Sequence, residues 1–164
     1  MAERTTTING TVPSSSDVRV DVKLYEGRQV SIVDISAINW KRMVEVGQKR
    51  RLDGSIGGTT RGRGSFEASM TLFEEGWAEL EGALAEVDPS NISLVQFQIV
   101  ALWTPPKATR QRKVEIKGVR ILEDGFQNAE GVDPSTTELK LDPTEIVSYP
   151  DARGPGNYLI GGPR

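Results

Sequence analysis

Residues 50–73 read RRLDGSIGGTTRGRGSFEASMTLF, and the stretch changes character halfway along. Its first half is too rich in glycine and charge to bury a core, so we expect a long basic loop over 47–64. Its second half, 65–73, alternates apolar and polar residues as a half-buried β-strand does. Connections inside a domain are usually about 4–6 residues long, and much longer ones are often functional. The loop is therefore the first candidate for a contact outside the chain, through Arg50, Arg51, Asp53, Arg61 and Arg63.

The residues before this stretch predict two strands. Residues 17–25 alternate apolar and charged side chains, which is typical of an antiparallel strand with one solvent-exposed face. A second strand is expected over 29–40, continuing towards the loop. Its alternation changes phase near Ile32 and Val33, which indicates a bulge or an exchange of faces.

The residues after the stretch predict one helix, over 74–87. Its first turn carries Glu74 and Glu75, where the helix dipole favours anions, and Asp88-Pro89 ends it. Four apolar residues at helical spacing form the stripe expected to pack on the sheet. They are Trp77, Leu80, Leu84 and Val87.

Three further strands complete the predicted fold. The most apolar covers 92–103, and its hairpin partner covers 112–123, with a bulge expected at Gly118. The last covers 136–142 with Leu139 and Leu141 inward, and Ile146 and Val147 extend its pairing. The fold class is thus mainly β with one flanking α-helix, a small barrel or sandwich completed by neighbouring subunits.

The domain organisation follows from these elements. One domain is expected over 17–148, between a mobile or partner-docked arm over 1–16 and an extended Gly/Pro-rich tail over 149–164.

Composition narrows the function classes. The 164 residues contain no Cys and no His, so thiolate metal sites and the commonest general base are missing. The net charge of -3 argues against a general nucleic-acid binder, and 37% hydrophobic residues is low for a free-standing domain. No apolar run approaches the roughly 18–20 residues of a membrane span. We expect a soluble, non-enzymatic protein without cofactor or metal, made in the cytoplasm.

The remaining chemical interpretations of the sequence are weaker than structural ones. The Gly-rich loop lacks the Lys and the following helix of a phosphate-binding loop, and its arginines fit pairing with a neighbouring subunit better than binding to nucleic acid. The glutamates of 74–87 belong to a solvated helix face, and Asp124, Glu130 and Asp133 lack calcium-loop spacing. Trp40 and Trp103 could stack on bases, but tryptophans on strands beside aliphatic residues are more often core.

The order of these pieces resembles the tail tube proteins of tailed bacteriophages. The likeness covers roughly residues 17–148 and includes the predicted helix. The other segments that carry it are 59–69 (TTRGRGSFEAS), 97–100 (FQIV), 117–121 (KGVRI), 129–133 (AEGVD) and 138–141 (ELKL). The tail from Tyr149 to Arg164 departs from the family pattern.

The resemblance implies a structural role in the tail of a virion, assembled in the host cytoplasm. Six copies of a family member form a ring, and rings stack into a tube that conducts DNA, with the long loop reaching the adjacent ring. The implied partners are further copies of the chain, a tail sheath, a baseplate and a tail terminator, and DNA passing through the lumen, with no membrane. Strand addition between copies would both cover sheet edges and close a ring.

Two alternatives remain open at this point. One is a tube subunit of a phage-tail-like injection or secretion system, and the other is a stand-alone β-sandwich module that binds sugar or protein.

The lumen of such a tube should avoid a positive wall, because cations would bind the phosphates of passing DNA. The candidate lumen-facing residues are Asp17, Asp21, Glu138 and Asp142.

Overall fold

A computed structural model describes residues 6–9, 19–24, 27–32, 34–128 and 134–159, without the side chains of Thr60, Arg61 and Arg63. The protein is mainly β with one α-helix, as the sequence predicts. The strands are β1 Thr7–Ile8, β2 Arg19–Leu24, β3 Gln29–Ile32, β4 Ile35–Arg50, β5 Ile56–Phe73, β6 Phe97–Trp103, β7 Arg112–Gln127, β8 Thr136–Asp142 and β9 Glu145–Tyr149. The helix α1 spans Glu74–Val87, and a short 3-10 helix covers Ile92–Leu94.

The nine strands found in the described ranges belong to one sheet that folds around a single core. The strand order is β1-β4-β5-β8-β7-β6-β2-β3, with β9 also pairing with β7. Strand β7 is the hinge of this arrangement. Its first part pairs with β6 and β9, whereas Arg120–Gln127 pairs with β8. The buried apolar side chains from both parts of the sheet and from α1 form one cluster.

Gly118 allows β7 to change partners. Its φ is +61°, a left-handed conformation that glycine adopts without strain, and the β6–β7 register shifts beside it. The hydroxyl of Thr144 occupies the space where a side chain would stand, donating to the carbonyls of Lys117 (3.1 Å) and Gly118 (3.2 Å). The bulge predicted at this glycine is confirmed.

The helix and the last strands lie where the sequence predicts them. The bounds of α1 match the predicted 74–87, and those of β8 match 136–142, with Leu139 and Leu141 buried. Strand β9 extends the pairing past Pro143, on β7. The predicted 92–103 strand is shorter, because Ile92–Leu94 form the 3-10 helix, while 112–123 extends to Gln127.

The predicted 29–40 strand is two strands. Residues 29–32 pair with β2, whereas the chain from Ile35 pairs with β5 at the opposite end of the sheet order. The phase change therefore marks an exchange between parts of the sheet, followed by a bulge between Ile35 and Ala37. Val33 lies outside the described residues.

The chain termini differ from expectation where they are described. Thr7 and Ile8 of the predicted N-terminal arm pair in parallel with Ala37 and Ile38, and Ile8 is buried. The tail after Tyr149 is not extended, because it turns and brings Asn157 back against Ser148. The amide of Ala152 also donates to the Gln111 carbonyl at 2.8 Å. A Gly/Pro-rich composition marks turns as readily as extended chain.

Candidate assembly interface

The predicted basic loop 47–64 is not a loop but the outer part of a β-hairpin. Strands β4 and β5 pair antiparallel from Ile35–Leu72 out to Arg50–Ile56, with shifts in register that include one between Val44 and Val46. The prediction failed because glycine and charge remove the burial signal on which strand prediction depends. Main-chain hydrogen bonds between two strands need no buried side chain.

A tight turn closes this hairpin. The amide of Arg51 donates to the Ser55 carbonyl (2.8 Å) and that of Gly54 to the Arg51 carbonyl (3.0 Å). One carboxylate oxygen of Asp53 accepts from the Ser55 hydroxyl (2.6 Å) and the Ser55 amide (2.9 Å). These hydrogen bonds lower the pKa of Asp53, the hydroxyl contributing most. Asp53 therefore stabilises the turn as a carboxylate.

The hairpin extends well beyond the rest of the sheet. Strand β8 pairs with β5 only from Ala68 to Phe73, so residues 56–67 of β5 pair with β4 alone among the described strands. We call residues 41–67 the hairpin arm. At about 3.3 Å per residue, twelve residues of unaccompanied strand reach roughly 40 Å. Every residue from Glu45 to Thr59 is exposed.

The end of the arm combines apolar and basic side chains. We call residues 49–56 the arm tip. Leu52 is fully exposed there and Ile56 largely so, and Lys49, Arg50 and Arg51 are exposed beside them. Exposed apolar side chains next to several charges of the same sign are typical of a surface that contacts a partner.

The structure groups only part of the predicted basic set. Arg50, Arg51 and Asp53 lie together at the arm tip, whereas Arg61 lies further back on β5, opposite Val46. Arg63 is also on β5, and the side chains of both are outside the described set. The apolar members Leu52 and Ile56 were missed, because isolated apolar residues in a charged segment give no periodic signal.

Helix α1 covers the core with part of the predicted stripe. Leu80 and Leu84 are fully buried and Trp77 is half-buried against the core, as expected. Val87 is 36% exposed, so its predicted packing role is wrong. The buried positions also include Gly76 and Ala83, small residues that hydropathy patterns overlook. Gly76 lets the first helical turn approach the main chain of Asp34, since a Cβ there would lie 2.6 Å from the Asp34 carbonyl.

The outer face of α1 is acidic. Its glutamates, Glu74, Glu75, Glu79, Glu81 and Glu86, are all exposed, and the helix contains no basic residue. Glu86 forms an ion pair with Arg28, which immediately precedes β3. The expected solvated helix face is confirmed, and these carboxylates have none of the burial that a general acid needs.

The predicted lumenal carboxylates do not form one surface. Glu138 and Asp142 are exposed on β8, while Asp21 lies on β2, with β7 and β6 between the two strands. Asp21 is buried and pairs with Arg19 at 2.9 Å, so its expected exposure is wrong. Asp17 lies outside the described residues.

The two tryptophans considered for base stacking contact each other. The rings of Trp40 and Trp103 are 5.5 Å apart at a tilt of 56°, Trp103 is buried, and Trp40 packs against the core. This agrees with the core interpretation. Nearby, Arg42 donates to the Asn157 carbonyl at 3.1 Å, which ties the base of the hairpin arm to the C-terminal segment.

Tyr149 anchors the same segment. Its hydroxyl donates to a carboxylate oxygen of Glu115 at 3.3 Å, and the Lys113 ammonium lies 4.2 Å from the ring centre. Burial, and then the Glu115 charge, raise the pKa of Tyr149.

In the described ranges there is no group of three or more acidic side chains placed to hold a metal ion. Asp124 is exposed, and Glu130 and Asp133 lie outside those ranges. No described helix is both long and apolar enough to cross a bilayer.

Comparison with known proteins gives matches by structure. No protein-family model matches the sequence, and no curated protein sequence does. A chain in the cryo-EM structure of the anti-feeding prophage baseplate, 6-fold symmetrised, superposes with a TM-score of 0.62 at 12% identity, covering 88% of this chain and 99% of that one. A chain of the sheath-tube complex of an extracellular contractile injection system, PVC, in the extended state gives 0.55 at 11% identity, covering 79% and 87%. A chain of the anti-feeding prophage tube-terminating cap gives 0.55 at 12% identity, covering 79% and 87%.

At these identities the likeness establishes a shared fold. Chains of contractile injection assemblies have this fold. The match agrees with the tail-tube-like fold that the sequence resemblance implies.

Proposed function

We propose that this protein is a structural tube subunit of a phage-tail-like contractile injection system. The observation that carries the proposal is the hairpin arm, a two-stranded extension whose outer residues, Glu45 to Thr59, are all exposed and whose tip is apolar and basic. A two-stranded hairpin is marginally stable alone in water, and ordering each residue costs about 1–2 kcal/mol. Burial of the arm against another subunit supplies the compensating free energy.

The shared fold supports an injection system over a phage tail tube. The similar chains come from an anti-feeding prophage baseplate, an injection-system sheath-tube complex and a prophage tube cap. By analogy, the partners of this chain are further copies of itself, a sheath, a baseplate and a terminating cap. A bacteriophage tail tube that conducts DNA is the second candidate, favoured by the order of the sequence segments.

The margins of the sheet support ring formation, and the number six is proposed by analogy. Strands β1 and β3 stand at the ends of the strand order. The two-residue β1 covers β4 only at Ala37 and Ile38, so among the described strands most of that edge of β4 is unpaired. Addition of a neighbour's strand at such margins removes exposed edges and closes a ring of identical subunits. The baseplate that contains a similar chain was symmetrised 6-fold.

A negative lumen is the part of the proposal that depends on β8. Glu138 and Asp142 are exposed on this strand, and Lys140 between them pairs with Glu123 at 2.9 Å. The Glu123 carboxylate offsets the charge of Lys140, the cation that lies between the two acidic residues on β8. An electrostatic map of an assembled tube tests the assignment, and a bore dominated by Arg and Lys would refute it.

The deciding experiment shortens the arm and keeps the remaining parts of β4 and β5 paired. Val46 lies opposite Arg61, so residues 47–60 can be replaced by Asn-Gly, a two-residue hairpin turn. Size-exclusion chromatography and negative-stain microscopy would compare both proteins at high concentration. We expect rings or tubes from the unaltered chain, and folded protomers or single rings from the shortened one.

A stable monomer of the unaltered chain at high concentration would overturn the tube proposal. If the shortened chain forms the same tubes as the unaltered one, the arm is not required for assembly.

A further inference from the structure

The hairpin arm has a surface on the same chain that matches its tip in chemistry. A groove lies beside the end of α1, lined by Val87, Leu94 and Val95, with Leu24, Asp88 and Arg120. Leu94 is 61% exposed and Val87 36%, so two apolar side chains meet solvent in one depression. Few large apolar residues are exposed in the described part of the chain, and the arm and this groove account for most of them.

The arm tip is basic, and the helix that borders the groove is acidic, whereas the groove lining itself carries one acid, Asp88, and one base, Arg120. The arm tip carries Lys49, Arg50 and Arg51, whereas α1 beside the groove is acidic and without a basic residue. Asp88 adds a carboxylate to the groove itself, with a pKa lowered by its hydrogen bond from the Ser90 hydroxyl. Arg120, which also lines the groove, donates to the Gln96 side chain at 2.7 and 2.9 Å when that amide is oriented to accept.

The arm tip cannot reach the groove of its own chain. The tip begins β5 and α1 follows its end, so 18 residues of strand, about 60 Å at 3.3 Å per residue, separate them. The 14 residues of α1 add about 21 Å at 1.5 Å per residue. Even a helix directed straight back along the strand would leave the groove tens of ångströms from the tip. An arm tip that occupies this groove must therefore belong to another copy.

We propose that the arm tip of one copy docks in the helix-end groove of a second copy. Leu52 and Ile56 pack on Val87 and Leu94, and the tip cations lie beside the acidic face of α1. The contact joins two different surfaces of identical chains, so it repeats head to tail instead of forming a closed dimer, and under the tube proposal it links one ring to the next. This inference rests on the proposed tube function and names the receiving surface for the arm.

A second exposed leucine offers a matched control. Leu122 is 67% exposed on the outer face of the sheet, in a depression lined by Lys41, Lys140, Glu67 and Glu138. These charges balance, as Asp88 and Arg120 do within the groove, but no residue of the acidic helix α1 lines this depression.

The test uses the absence of cysteine from the chain. Leu52→Cys protein is mixed with Leu94→Cys protein, allowed to assemble and mildly oxidised, and a parallel sample mixes Leu52→Cys with Leu122→Cys. A disulfide forms only where the Cα atoms approach within about 7 Å, so cross-linked dimer on a non-reducing gel reports docking. We expect dimer as the main product of the Leu94 mixture and only background in the Leu122 mixture.

Microscopy of the same samples separates the possible failures. If tubes form but cross-linked dimer appears mainly in the Leu122 mixture, or equally in both mixtures, the docking of the arm tip in the groove is wrong. The proposed tube function would still stand. No tubes from the unaltered chain would overturn both proposals.

A second pair of variants keeps the proposal testable without cross-linking. Leu94→Asp should abolish tubes while the protomer stays folded, because the side chain is exposed in the monomer. Leu122→Asp should assemble normally, and the reverse result would refute the groove.

Discussion

Strand β6 and the outer hairpin arm are both extended β-strand, but β6 is mostly buried and the outer arm is exposed to solvent. In β6, Phe97, Ile99 and Ala101 are fully buried, and strands flank it on both sides. In the arm, Glu45 to Thr59 are all exposed, and among the described strands each strand has only the other as a neighbour. A strand can therefore arise from burial or from main-chain pairing alone, and only the first leaves a clear pattern in the sequence.

The comparison also separates stability from assembly. The buried residues of β6 hold the protomer together, whereas the exposed residues of the outer arm contribute little to protomer stability and, under the proposed function, act in assembly. Variants in the two regions should thus change different measurements.

The largest expected difference comes from apolar truncation. Phe97→Ala should lower the free energy of unfolding by about 3–5 kcal/mol, because it removes a fully buried aromatic side chain and leaves a cavity. Leu52→Ala at the exposed arm tip should change it by less than about 0.5 kcal/mol. Urea denaturation of protomers measures both, and similar losses would show that the arm is part of the folded core.

The next effect concerns the turning point of β7. Gly118→Ala should destabilise the protein by about 2–4 kcal/mol, since a side chain at positive φ is strained and would collide with the Thr144 hydroxyl. Gly125→Ala in the same strand is the matched control. Its nearest neighbour would be the Glu138 carbonyl at 3.9 Å, so a change within about 0.5 kcal/mol is expected. Equal effects in thermal melts would contradict the hinge role of Gly118.

A smaller effect is expected where the C-terminal segment meets the sheet. Tyr149→Phe should cost about 0.5–1.5 kcal/mol through loss of the hydrogen bond to Glu115. The folded pKa of Tyr149 is raised, so its contribution is complete below the ordinary value of 10.0 and is lost as pH rises through the folded pKa. Absorbance titration of the phenolate against a denatured reference measures the shift. If the pKa of Tyr149 in the folded protein is at or below its pKa in the denatured protein, Tyr149 does not lie in a partly buried site beside the Glu115 carboxylate.

The smallest effect is expected at the turn of the arm. Asp53→Ala should leave global unfolding unchanged and speed hydrogen exchange at the Ser55 amide, which loses its acceptor. The lowered pKa of Asp53 means that the turn contact persists above the ordinary value of 3.8 and is lost as pH falls through the folded pKa. Asp53→Asn, which keeps an acceptor oxygen, is the control. Unchanged exchange in the alanine variant would show that the turn does not depend on this carboxylate.

Much of the fold was predictable because its signals are local. The bounds of the helix follow from its apolar periodicity and from the proline that ends it. Strand β8 follows from its alternating pattern, and the bulge at Gly118 from a glycine placed between two phases of alternation. The arm was mistaken for a loop, and Val87 for a packing residue, because exposure of an element depends on neighbours distant in sequence. Leu94, central to the proposed groove, was read as part of a strand and not as an exposed residue.

The sequence by itself determined which segments can bury a face, where they end, and that no thiol or imidazole chemistry is present. These properties depend on residue type and on spacing within about a turn or a few strand residues. Only the tertiary structure decided that β7 serves two parts of the sheet, that Asp21 is buried, and that the arm extends past its neighbours. Those outcomes depend on which strands pair across long stretches of chain, and pairing is chosen by the burial of the whole core.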